Sequence, residues 1–135
     1  METERQAGAA PAESPVPNRR RKGASGEDAA IEYLLTKGYE VITRNYRARR
    51  GEIDCIARDP DGRTLVFVEV KAAYSGSAGH PLSWVTPSKQ RTIAGMARLY
   101  LAEHGITSVP CRFDVIAVAG GKIDHLRNAF LSQNR

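Results

Sequence analysis

Apolar residues recur at helical spacing in two stretches of the chain and alternate at period two between them. Ile31, Leu34 and Leu35 form one helical stripe, in a segment that Ser25 opens as a capping residue with Asp28 three positions on and that Gly38 closes. The pattern predicts a helix from about Gly26 to Lys37. Glu27, four residues ahead of Ile31, falls on the same stripe and turns a carboxylate toward whatever the helix packs on. A second stripe of Ile93, Ala97, Tyr100 and Leu101 follows Thr86 as cap and Pro87 at the first helical position, and Gly105 stops it.

Strand signals fill the remainder. Tyr39-Glu40-Val41-Ile42 reads as a short strand, and Arg44 to Arg50 follows as a basic polar stretch. Gly51 to Ala57 alternates at period two, Asp59 to Arg63 is a turn signal, and Thr64 to Lys71 is rich in β-branched and aromatic residues, so the three predict a β-hairpin. Tyr74 to Ser83, with two glycines, three serines and a proline, reads as a mobile surface loop. A strand from Pro110 to Ala119, a Gly120-Gly121 turn and a short strand near Ile123 complete the order α-β-β-β-α-β-β, an α/β class with a mixed central sheet flanked by helices. No repeat with a period of 20 to 50 residues is visible.

The hairpin fixes a register. With Asp61-Gly62 as the central turn residues, Asp54 lies opposite Glu69 and Glu52 opposite Lys71, so four ionisable groups share one face with Ile56, Leu65 and Phe67. Ile53, Cys55, Ala57, Val66, Val68 and Val70 make the other face wholly apolar. Two carboxylates about 5 Å apart repel by roughly 3 kcal/mol at an effective dielectric near 20, more than the ~0.2–1 kcal/mol a cross-strand pair contributes. Something positive belongs between them, and Lys71 and a divalent cation both qualify. Asp54 and Glu69 supply the hard oxygen ligands that Mg²⁺ or Mn²⁺ takes, and a cation held there polarises a phosphodiester while an adjacent lysine stabilises developing negative charge. The competing reading is a solvated sheet face neutralised by Lys71 and nearby arginines.

Composition narrows the partners. The first 24 residues hold three prolines, no aromatic residue and the run Arg19-Arg20-Arg21-Lys22, which predicts a disordered basic tail ahead of one folded domain over 25–135. The formal net charge is +5, and five of the 20 basic residues lie in that tail, a balance that permits an anionic partner without requiring one. Arg47, Arg49 and Arg50 before the hairpin, and Lys89, Gln90 and Arg91 in the first turns of the second helix, are candidate phosphate contacts. Cys55 and Cys111 form no CxxC and read as small core residues, and His80, His104 and His125 stand isolated in sequence. No apolar run is long enough for a membrane span or signal peptide, so the expected location is the cytoplasm, with no membrane partner. The absence of HExxH, GxxxxGK[ST], GxSxG and GxGxxG argues against zinc proteases, P-loop NTPases, α/β-hydrolases and dinucleotide enzymes.

A set of motifs in fixed order adds a resemblance. Gly26-Glu27, Asn45-Tyr46-Arg47, Gly51-Glu52-Ile53-Asp54, Phe67-Val68-Glu69-Val70-Lys71, Val85 to Arg91, Arg112-Phe113-Asp114-Val115 and Asn128-Ala129-Phe130 resemble the YraN family of bacterial proteins over about residues 23–132. That family is similar to archaeal Holliday junction resolvases within the restriction-endonuclease-like, PD-(D/E)XK group. The resemblance implies that fold, with Asp54 and Glu69 as metal ligands, Lys71 as the catalytic lysine and Glu27 as a helix carboxylate that binds or orients metal or water. Ile53 stands where the group's name has proline, and Asp114 reads as structural. The implied function is a Mg²⁺- or Mn²⁺-dependent nuclease acting on DNA, with branched or damaged DNA as a candidate substrate and a homodimer as the assembly suited to cutting a junction twice. The alternative is a nucleic-acid-binding or protein-interaction module that keeps the scaffold without turnover.

Overall fold

A computed structural model of the chain describes residues 18–72 and 85–131. The expected loop from Tyr74 to Ser83 and the first 17 residues of the expected tail lie outside them. Helix α1 (Asn18–Thr36) precedes β1 (Glu40–Ala48), β2 (Gly51–Arg58) and β3 (Leu65–Ala72); helix α2 (Pro87–Glu103), β4 (Cys111–Ala119) and β5 (Lys122–Leu126) follow. The element order is the one the sequence predicts. The strands form one sheet in the order β1-β2-β3-β4-β5, mixed because β3 and β4 run parallel while the other neighbours run antiparallel. A parallel neighbour needs a crossover, and α2 lies within it.

Where β2 and β3 pair, the register is the predicted one: Cys55 faces Val68, Ile56 faces Phe67, Ala57 faces Val66 and Arg58 faces Leu65. The expected pairs of Asp54 with Glu69 and of Glu52 with Lys71 do not form, because the ladder ends at Cys55 and Val68. The turn is not the predicted one. Asp59 N–H bonds to Thr64 O and Gly62 N–H to Asp59 O, so Pro60 to Arg63 form a longer loop in place of a two-residue turn. Proline at 60 brings no donor, and the exposed Asp61 carboxylate organises the loop by accepting the N–H groups of Arg63 and Thr64, which hold its pKa down to about 2. The loop is centred where the turn was expected, and the register therefore survives.

Three further expectations are corrected. First, α1 begins at Asn18, so Ser25 lies within the helix, and residues 18 to 24 of the expected disordered tail are helical. From Gly26 onward its buried positions are Gly26, Ala30 and Leu34, one step from the expected stripe, leaving Leu35 52% exposed. Second, β1 runs through the basic stretch to Ala48, with a bulge between Val41 and Thr43. An edge strand keeps one side in water and accommodates arginines at no burial cost. Third, Cys111 is exposed at the first position of β4, whereas Cys55 is a core residue whose thiol burial pushes up to about 12.

Each sheet face carries its own core. Cys55, Ala57, Val66, Val68 and Ile116 pack with Ala30 and Leu34 of α1. Ile56, Leu65, Phe67, Phe113 and Val115 pack with Ile93, Met96, Ala97 and Tyr100 of α2. The expected alternation holds on β3 and on β2 from Cys55 onward, but Ile53 joins the α2 side with Ile56. The pleat thus slips by one residue at Asp54. As predicted, Thr86 caps α2 by accepting Lys89 N–H at 3.1 Å with Pro87 in the first turn, and Gly120 and Gly121, both at positive φ, close the β4–β5 hairpin.

Candidate active site

The slip at Asp54 coincides with the point where β2 and β3 part. Their paired residues end at Cys55 and Val68, and the next β3 donor, Val70 N–H, goes to Asp54 Oδ2 at 2.7 Å. A side-chain carboxylate thus takes a ladder hydrogen bond, and Asp54 is fixed between the two layers of helix.

On the α1 side, carboxylate oxygens of Glu27, Glu52 and Asp54 lie within 4.8 Å of one another. Asn45, at φ +52 in the left-handed region that asparagine tolerates best after glycine, donates from Nδ2 to Glu52 at 2.8 Å and to Glu27 at 3.3 Å. Arg44 reaches Asp28 at 2.9 Å and Glu27 at 4.0 Å, while the largely solvated Arg47 reaches Glu52 at 3.4 Å. On the α2 side, the buried Glu69 carboxylate faces Lys89 Nζ at 3.5 Å and Lys71 Nζ at 3.9 Å.

Charge is unevenly balanced across this group. Burial, followed by the negative charge of Glu69 and then of Glu27 and Glu52, pushes Asp54 up to about 7 against the pull of the Val70 N–H. Burial also raises Glu69, and Lys89 and Lys71 only partly offset it. No cation lies within 4 Å of Asp54 among the described residues. Near neutral pH the cluster therefore favours a bound proton or a divalent cation, and carboxylate oxygens from a helix and a strand are the donor set that hard cations take.

Glu27, Asp54, Glu69 and Lys71, named from the sequence, are thus brought together. Glu52, which unbroken alternation assigns to the α2 face with Ile56 and to no ligand role, instead joins the carboxylate triad on the α1 side, while Glu69 faces two lysines on the α2 side. Asn45 was missed as a site residue, because nothing local in a single sequence marks a positive φ inside a strand. Lys89 Nζ lies 3.5 Å from Glu69, and Gln90 Nε2 donates to Val85 O at 2.9 Å. Arg49 is exposed, and Arg50 and Arg91 line a separate depression on α2.

The sequence model of the Uncharacterised protein family UPF0102 matches residues 26–118. A UPF0102 protein of Chlorobium phaeobacteroides is 45% identical over 120 residues, covering 82% of this chain and 94% of that one. Another, from Symbiobacterium thermophilum, is 51% identical over 108 residues, 80% of this chain and 90% of its own. Among solved structures, an EndoMS–dsDNA complex aligns with a TM-score of 0.40 at 16% identity, over 67% of this chain and 34% of that one. A repair endonuclease from Pyrococcus abyssi aligns at 0.36 and 17%, over 80% and 41%. This chain spans less than half of either protein.

Proposed function

Given that the chain belongs to UPF0102, the YraN family its motifs resemble, we propose that it is a divalent-metal-dependent nuclease that hydrolyses DNA phosphodiester bonds, with branched or damaged DNA as the substrate class. The observation that carries this reading is the convergence of Glu27, Glu52 and Asp54 within 4.8 Å beside a Glu-x-Lys pair whose glutamate is buried. In that reading Asp54, Glu27 and Glu52 hold Mg²⁺ or Mn²⁺, with Glu69 adjoining. A cation there supplies Lewis-acid polarisation of a phosphate oxygen and a more acidic bound water. Lys71, with its side chain about one-third exposed, is placed to stabilise negative charge developing on the phosphate, and Lys89 holds Glu69 in position. Asn45 fixes the spacing of Glu27 and Glu52 through its two hydrogen bonds.

The test combines calorimetric titration of Mg²⁺ and Mn²⁺ with cleavage of linear and four-way-junction DNA. Wild type is expected to bind and cut. Asp54→Asn is expected to lose metal binding, and Lys71→Ala to retain it while cutting about 10²-fold or more slowly. A wild type that binds neither cation, even with DNA present, would overturn the reading in favour of a non-catalytic module on the same scaffold.

A further inference from the structure

Away from the carboxylates, the turn between β1 and β2 lies against α2. A β-carbon at Gly51 would meet Thr92 Cγ2 at 3.3 Å, so the turn sits directly on the helix. Arg50 extends from this turn over Gly95. A β-carbon at Gly95 would lie 3.1 Å from Arg50 Nη1 and 3.7 Å from Arg98 Nη2, so two guanidinium groups close on one point that the missing side chain leaves open. Arg91 lines the same depression, together with Ser88 and Thr92.

None of Arg50, Arg91 and Arg98 has a carboxylate within 4 Å among the described residues. This contrasts with Arg44, Arg47, Arg58 and Arg112, each of which has an acidic partner. Three guanidiniums with two hydroxyls and no counter-charge match the planar, multiply donating surround that a phosphate takes, and like charges converge at least cost when an anion sits among them.

We propose that Arg50, Arg91 and Arg98 form a phosphate clamp that grips the nucleic-acid backbone apart from the carboxylate site, with Gly95 as the residue that keeps the clamp open. The choice of nucleic acid as ligand rests on the nuclease reading; the anion pocket itself does not. Arg50 and Arg91 come from two segments that the sequence singled out separately, and Arg98 lies two helical turns beyond Arg91 on the same side of α2.

The test is fluorescence anisotropy of a labelled DNA duplex in EDTA across a range of KCl concentrations, which reads binding without metal or turnover. Arg50→Ala and Arg98→Ala are each expected to weaken binding about tenfold and to lower the slope of log affinity against log salt by about one. Gly95→Leu, which places a good helix former over the clamp and leaves the charge unchanged, is expected to weaken binding comparably. Arg63→Ala, on the exposed β2–β3 loop, removes one charge and is expected to change little. Thermal melts identify any variant that fails to fold, and Arg98→Ala, an exposed position, then carries the test alone. The proposal is overturned if Arg98→Ala binds no worse than Arg63→Ala, if wild type binds no duplex, or if tripolyphosphate displaces DNA at equal phosphate concentration, which would assign the pocket to a free polyphosphate. Failure of cleavage with intact clamp binding would sink the nuclease reading alone.

Discussion

Asp54 and Asp114 are both carboxylates of the central strands, the first half-buried and the second fully buried, and their surroundings differ in nearly every respect. Asp114 is fully covered and accepts from Arg112 at 2.9 and 3.0 Å, from His125 Nε2 at 2.7 Å and from Asn128 N–H at 2.9 Å. Arg112 in turn holds Asp59 and the Tyr39 hydroxyl, and His125 Nδ1 meets the Tyr33 hydroxyl at 2.8 Å. Burial alone would raise the Asp114 pKa, but the bonds from His125, Arg112 and Asn128 outweigh it and hold the group below the usual carboxylate range. Asp54 receives one N–H and faces three other carboxylates, and its pKa goes the other way. A saturated buried ion network is a structural tie, here joining β4, β5 and the loop after β2. An unsaturated one stores an unmet demand for positive charge, and that is the signature of a site.

The largest effect is expected where the comparison is broken on its saturated side. Asp114→Ala leaves Arg112 and His125 buried without their main acceptor, so unfolding in urea should show a loss of about 3–5 kcal/mol. Because the native pKa of Asp114 is depressed, its contribution is present above the unfolded-state value of about 4 and is lost as pH falls through the native one. A wild-type stability that stayed flat under acid titration would contradict this assignment.

On the unsaturated side the sign reverses. Asp54 has a native pKa of about 7, so the folded protein holds that proton more tightly than the unfolded chain, and the group opposes folding above pH 7. The penalty is relieved as pH falls from 7 toward 4. Asp54→Asn keeps an acceptor for Val70 N–H without the charge. It should therefore stabilise the metal-free protein by about 1–2 kcal/mol at about pH 8 and by almost nothing near pH 5. Mn²⁺ should raise the melting temperature of wild type and leave that of Asp54→Asn in place. A destabilised Asp54→Asn at about pH 8 would place Asp54 among the structural ties with Asp114.

The two sides were not equally visible in the sequence. The hairpin register follows from one turn signal and period-two alternation, and it holds as far as Cys55 and Val68, one residue short of Asp54 and Glu69. Glu27 followed from the spacing of apolar residues on α1, even though the buried stripe is centred on Ala30 and Leu34 instead of Ile31 and Leu35. The pleat slip at Asp54 was not visible, because alternation assumes an unbroken strand. The slip is what puts Ile53 on the α2 side and allows Glu52 and Asp54 to meet Glu27. His125 stood alone in the sequence and turned out to be bonded to residues 11 and 92 positions away, contacts that only the β4–β5 pairing and the packing of α1 create.

The smallest expected change sharpens the comparison most closely, since it tests whether the acidic cluster has an internal order of its own. Asn45 occupies φ +52, so Asn45→Ala would mix the loss of two hydrogen bonds with backbone strain. Asn45→Gly accepts the same backbone and removes only the bonds to Glu27 and Glu52. Its stability should fall by no more than about 1 kcal/mol, because both carboxylates retain access to water and to Arg44 or Arg47. Its Mn²⁺ affinity should nevertheless fall about tenfold, as groups that orient ligands typically govern affinity by 10- to 100-fold. Unchanged affinity in a folded Asn45→Gly would mean that the carboxylates find their cation geometry without this residue, and Asn45 would then belong with the turn-forming residues of β1.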